Sequence, residues 1–238
     1  MELKKMDTQL EDQGGVFSVT ILRADDPKRV GLFAVGRGGN PLRHLPFLQS
    51  VADHGCTIIA PHFAMLHSSI PTKEELDTRV RRLELAADNY AEVDRSMFGI
   101  GHSIGAVTLL ALAGAEARTI SGDAVISQSN LKFDFIFLFA PPSDFFRHPN
   151  ALNSIDSQIY IRAGEKDSIT PPDQALFFKD TLAQKTDVYL RIDENAGHFT
   201  YMNELPPHVV DPQTNRDIFL SSIADDVGKI VSFRQSHD

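Results

Sequence analysis

The sequence predicts an α/β fold: a mostly parallel central sheet flanked by helices. Three observations carry that prediction. Short β-branched or aromatic runs alternate with longer amphipathic runs along nearly the whole chain. Several of the short runs, such as residues 56–60 (CTIIA) and 133–140 (FDFIFLFA), are almost continuously apolar, as strands covered on both faces are. Finally, Gly101-His102-Ser103-Ile104-Gly105 follows an apolar run (residues 97–100) and precedes a small-residue helical run (residues 106–115), a strand–turn–helix junction.

The elements follow in order. Residues 1–14 are polar, lack the apolar core of a signal peptide, and are expected to form a flexible N-terminal segment. Residues 15–22 (GVFSVTIL) alternate and read as an outer strand able to run antiparallel. Residues 30–35 are a buried strand ending in Gly36-Arg37-Gly38-Gly39-Asn40. Asn40 and Pro41 mark a helix start, with Leu45, Leu48 and Val51 at helical spacing. After the strand at 56–60, Thr72 and Glu75 form a capping box, and Leu76, Val80, Leu83, Ala87 and Tyr90 trace one apolar helix face.

Beyond the helix at 106–115, residues 116–132 give no assignable element. Strands are expected at 133–140, 158–163 (QIYIRA) and 187–192 (DVYLRI), with a helix starting at Pro171 between the last two. A final helix from about Thr214 is expected to bury Ile218, Ile223, Val227 and Ile230. Only about 17 residues separate the strands at 133–140 and 158–163, too few for a lid domain. With no repeat or linker, the 238 residues read as one domain.

Composition narrows the function classes. The chain is 42% hydrophobic and 23% charged, an ordinary globule. Its formal charge of −9 argues against nucleic acid or an anionic membrane as partner. No apolar stretch reaches the ~20 residues of a membrane span. A single cysteine, Cys56, excludes an internal disulfide and a cysteine-based metal site. A soluble cytoplasmic protein is the expectation; oligomeric state is not legible.

The glycine-flanked serine lifts a hydroxyl above the end of a sheet, but a hydroxyl is a poor nucleophile until a base takes its proton and an anion orients that base. Candidates for both lie after later strands, in the order Ser…Asp…His: Ser103 as nucleophile, Asp167 in AGEKD as acid, and His198 in NAGHF as base. Loops at the carboxyl ends of parallel strands converge, so the three can meet. Asp144 is the serious alternative acid and Glu165 a weaker one. An oxyanion would be held by the amide of Ile104 and by the glycine-rich turn after residues 30–35, placed at Arg37. The Arg37 side chain either lies in solvent or pairs with a substrate carboxylate.

His102 is expected to support the turn rather than act chemically. His62 and His67 are a weak metal pair without acidic companions, and His148 and His208 read as surface residues. Phe63, Met65, Phe145, Phe146 and Phe199, with Tyr201 and Met202, fall in loops at the catalytic edge and suggest an apolar acyl or alkyl pocket.

The segments GRGG, GHSIGA, GEKD and NAGHF resemble the α/β-hydrolase superfamily, and the small size and missing lid resemble its dienelactone-hydrolase-like group. That resemblance implies Ser103, Asp167 and His198 as a catalytic triad and esterase or lactonase chemistry. Dienelactone hydrolases carry a cysteine where this chain has Ser103, and Val35-Gly36 stands where many members have His-Gly. The expectation is a lidless serine hydrolase acting on a small ester, thioester or lactone without metal or organic cofactor. The competing class is a non-enzymatic ligand receptor on the same scaffold.

Overall fold

A computed structural model describes residues 3–92 and 95–233. Its sheet begins with two antiparallel strands, β1 (Lys4–Asp12) and β2 (Gly15–Arg23). β2 also runs antiparallel to β4 (Cys56–Pro61), which pairs in parallel with β3 (Arg29–Ala34). The parallel part continues through β5 (Ser96–His102), β8 (Phe135–Phe139), β9 (Gln158–Gly164) and β10 (Val188–Asp193). The order β1-β2-β4-β3-β5-β8-β9-β10 places β5 centrally, and every side chain of β3, β4 and β8 is buried. A sheet covered on both faces has to be apolar on both, which is the pattern the sequence displays.

The two faces carry separate cores. One joins the sheet to α2 (Lys73–Tyr90), α3 (Ile104–Leu112) and α4 (Pro172–Leu182), through residues such as Leu76, Leu83, Val107, Leu110 and Phe178. The other joins it to α1 (Leu45–Ala52) and α5 (Arg216–Phe233), through Phe47, Leu48, Val51, Ile223 and Val227. The Thr72–Glu75 capping box is present. Asn40 caps a 3-10 turn (Pro41–His44) that leads into α1.

Three expectations change. The N-terminal segment is not a flexible tail: residues 4–12 form β1, while Met1 and Glu2 lie outside the described residues. β1 is polar because it is an edge strand held by backbone pairing to β2 and by Asp12, which bonds to Arg81 and Arg82 of α2. The Arg82 hydrogen bond, assisted by Arg81 against the cost of burial, holds the Asp12 carboxyl down at about 2. Ile218 is not buried: it is 74% exposed, because the inward stripe of α5 is Leu220, Ile223, Ala224, Val227 and Val231, and a residue two before Leu220 lies on the opposite side of the helix. Residues 116–132 contain a small hairpin, β6 (Ala117–Arg118) and β7 (Ala124–Val125). No helix among the described residues is long and apolar enough to cross a membrane.

Candidate active site

Ser103 stands between the last residue of β5 and the first of α3 with φ 55° and ψ −128°. A left-handed φ on a non-glycine residue costs on the order of 1–3 kcal/mol and persists only where the surroundings enforce it. The amide of Ser103 donates to Phe139 at the end of β8, and its carbonyl accepts from Ala106. A Cβ on Gly101 would lie 2.6 Å from Ala106 Cα, so only glycine lets strand and helix meet so closely. The turn presents the Ser103 hydroxyl at the N-terminus of α3.

His198 Nε2 lies 2.9 Å from Ser103 Oγ, and His198 Nδ1 lies 2.9 Å from Asp167 Oδ2. Asp167 follows the end of β9, and His198 sits on the loop after β10. The carboxylate is fully surrounded. Oδ1 accepts from the amides of Ile169 and Thr170 at 2.8 Å each, and Oδ2 accepts from the Thr170 hydroxyl at 2.7 Å. Burial alone would raise this carboxyl, but the hydrogen bond and charge of His198 and the Thr170 donors outweigh it and hold it below the usual range. An ionised Asp167 requires a proton on Nδ1, which leaves the Nε2 lone pair facing the serine hydroxyl.

The other acid candidates are elsewhere engaged. Asp144 is 67% exposed on its side chain and pairs with Arg147. Glu165 accepts from the amide of Asn195. Thr170, to which the sequence assigns no role, reaches both Asp167 and His198: its hydroxyl is also 3.0 Å from His198 Nδ1. A Thr-Pro pair reads as a helix start, and nothing in its spacing signals this role.

Behind the histidine, His102 is buried and its Nε2 lies 3.0 Å from the His198 carbonyl oxygen, so that nitrogen donates. That bond braces the His198 loop, whereas the sequence pointed to support of the Ser103 turn. The His102 ring is sandwiched between His198 (centroids 5.4 Å apart) and His44 (5.2 Å). His44 Nδ1 donates to the Tyr201 carbonyl. The far nitrogens, His102 Nδ1 and His44 Nε2, are buried without a hydrogen-bond partner among the described residues. Burial pushes His44 down to about 4. Burial, then the charges of His44 and His198, push His102 well below its ordinary value. Both rings are therefore neutral near pH 7.

The turn after β3 closes the other side. A Cβ on Gly36 would lie 3.5 Å from Ser103 Cβ, which brings this turn against the serine. Arg79 of α2, which shares the apolar stripe with Val80 and Leu83, is buried and donates to the carbonyls of Val35, Gly36, Arg37 and Ala64. Four carbonyls fixed by one guanidinium leave little freedom in the turn. The polar residue inside an apolar stripe was the available signal. The Arg37 side chain donates to the carbonyls of Leu66 and His67, bracing the next loop. The Ile104 amide belongs to the first turn of α3, where amides have no intrahelical partner.

A cleft of about 470 Å³ opens over Ser103 and His198. Its wall is largely apolar: Leu66, Ile70, Pro71, Ile104, Ile120, Pro142, Phe145, Ile169 and Phe199, with Arg37, Arg118 and Asp144 among its polar members. Of the aromatic and sulfur-bearing residues expected here, Phe145 and Phe199 line it. Phe63 instead packs beneath the Arg79 guanidinium, Met65 points to solvent on the loop, and Phe146 is a core residue stacked edgewise on Phe178. Tyr201 is buried against Phe139. Each lies in a loop beside the cleft, and loop position alone does not say which way a ring turns. Ile120, on the β6–β7 hairpin that sequence could not assign, supplies part of the wall.

His62 lies 2.8 Å from the Thr20 hydroxyl and His67 faces Glu75, and no group of three or more His, Cys, Asp or Glu able to hold a metal occurs among the described residues.

No family model matches the chain, and no curated protein is similar to it in sequence. Solved structures share its architecture. A dienelactone hydrolase-like promiscuous phosphotriesterase, P91, from metagenomic libraries superposes with a TM-score of 0.70 over 96% of this chain and 99% of that one, at 13% identity. The Pyrococcus furiosus esterase Pf2001 gives 0.68 over 96% and 92%, also at 13% identity. A Rhizomucor miehei esterase gives 0.62 over 96% and 84% at 14% identity. The fold is that of the α/β hydrolases, as the sequence segments suggested.

Proposed function

We propose that the chain is a serine hydrolase cleaving a carboxylic ester, thioester or lactone through an acyl-enzyme on Ser103. The observation that supports this most is the unbroken relay from Ser103 Oγ through His198 to a buried, ionised Asp167, with both links at 2.9 Å. In this reading Ser103 Oγ attacks the substrate carbonyl carbon as its proton passes to His198 Nε2. The imidazolium is stabilised by Asp167, and the oxyanion by the amides of Ile104 and Arg37. The bond to the leaving oxygen or sulfur breaks, and His198 returns the proton to that atom. Water, deprotonated by the same histidine, then hydrolyses the acyl-enzyme. The esterase names among the structural neighbours agree with this reading.

The apolar wall suits an acyl or alkyl chain, and an uncharged ester is a better fit than a polar one. Neither the relay nor the cleft calls for a metal or organic cofactor. Turnover of a short p-nitrophenyl ester, with Ser103→Ala as control, tests the proposal. A ligand receptor on this scaffold would bind such esters without releasing p-nitrophenol.

A further inference from the structure

β10 ends the sheet, and its outer edge differs from the opposite one. At the far end β1 carries Lys4, Lys5, Asp7, Glu11 and Asp12, the charged side chains that keep edge strands from pairing. β10 (VYLRID) is a regular strand in unbroken register with β9, without proline and without lysine. The carbonyls of Asp187 and Asp193 accept from the amides of Ile159 on β9 and of Glu165 just beyond its end. By the two-residue period, the N–H and C=O groups of Val188, Leu190 and Ile192 therefore point outward from the sheet.

An aromatic ladder runs to that edge. Phe137, Tyr160 and Tyr189 stack across β8, β9 and β10 with centroids 5.0 and 4.8 Å apart and interplanar angles of 22° and 12°. Tyr189 is its last rung and is 50% exposed. The ladder floors a hollow of about 580 Å³ beside α5. Asp187 and Arg191 flank Tyr189 on the same face of the strand, and both are exposed. Within the chain Arg191 Nε lies 3.1 Å from Asp193 Oδ1 and Asp187 Oδ2 accepts from Gln158 Nε2 at 3.2 Å, contacts at the surface that a partner's opposite charge can share.

We propose that β10 is a dimerisation edge on which a second copy of this chain pairs antiparallel about a two-fold axis at Tyr189. In that register Tyr189 faces the partner's Tyr189 as a non-hydrogen-bonded pair, the arrangement that brings side chains closest. Val188 then faces the partner's Leu190, and their outward amides and carbonyls complete the ladder in both directions. Asp187 falls opposite the partner's Arg191, and Arg191 opposite the partner's Asp187. A self-complementary patch is what a two-fold interface requires, and opposite charges flanking an aromatic pair fix its register. The dimer would continue the sheet from one copy into the next. Because the strands oppose, the two clefts would open at opposite ends, so this inference stands apart from the proposed reaction.

Sedimentation equilibrium of the full chain over a range of concentrations tests it. The expected result is a dimer of twice 26.4 kDa. Asp187→Arg and Arg191→Asp should each weaken it by about tenfold or more, by placing like charges opposite one another. The double swap should restore it. Hydrogen exchange at the Val188 and Leu190 amides should slow as wild-type concentration rises, a readout that needs no variant. A mass that stays at 26.4 kDa, a double swap as weak as the singles, or exchange at these amides that ignores dimer formation would each overturn the proposal.

Discussion

A methyl group on Gly105 would lie 1.9 Å from the carbonyl oxygen of Ala34. The first turn of α3 thus rests directly on the end of β3, and the serine turn is built at backbone contact distance. Gly105→Ala must push helix and strand apart, and should destabilise the protein by about 3 kcal/mol or more in urea denaturation. Gly38→Ala, where a Cβ meets nothing within 4 Å, should change stability by no more than about 0.5 kcal/mol.

The acid assignment separates two carboxylates. Asp167→Asn removes the anion that fixes the His198 tautomer and should lower the acylation rate by roughly 10³–10⁴-fold. Asp144→Asn, at an exposed cleft-wall side chain that pairs with Arg147 and not with His198, should change it less than about threefold. Thr170→Val leaves the two backbone donors of Asp167 in place and should cost about tenfold. Stopped-flow acylation with a chromogenic ester ranks the three, and a larger loss for Asp144→Asn would move the acid to the loop after β8.

Arg37 offers a test of specificity. Its guanidinium already donates to Leu66 and His67, whose loop supplies Leu66, Ile70 and Pro71 to the cleft wall. Arg37→Ala should therefore loosen that wall and raise KM for neutral and acidic esters alike, by about two- to fivefold. A rise confined to carboxylate-bearing esters would show that the side chain leaves these carbonyls to bind the substrate anion.

Much of this was legible in the chain because the relevant signals are local. The strand–glycine–serine–glycine–helix order of residues 97–115 is a consequence of backbone crowding, and so is written into the residues themselves. The buried parallel strands announce themselves through apolar runs. β1 did not, because its partners are backbone groups of β2 and two arginines some seventy residues away. Thr170, His44 and Arg79 act through contacts with segments far away in sequence, and only the anomalous place of Arg79 in an apolar stripe hinted at one of them. The direction taken by Phe63, Met65 and Phe146 depends on packing that loop position does not encode.

The neutral histidine pair predicts acid sensitivity. His44 is held at about 4 and His102 well below its ordinary value, whereas unfolded histidine titrates near 6.5. The unfolded chain therefore binds more protons between those limits, and stability falls as pH drops below about 6.5. His44 alone should cost about 3 kcal/mol by pH 4. Replacing His44 by Phe should flatten that part of the stability–pH curve, read from urea midpoints at pH 7, 6, 5 and 4. An unchanged slope would contradict the neutral, buried assignment.

If Ser103 is the nucleophile of the proposed reaction, covalent labelling with a fluorophosphonate followed by peptide mass analysis reads it out without reference to any substrate. The wild-type protein should gain one phosphonyl group on the peptide containing Ser103. The Ser103→Ala protein, with its urea midpoint little changed, should gain none. Labelling of the alanine variant at another serine with the wild-type rate, or a wild-type protein that resists the probe while folded, would contradict the account.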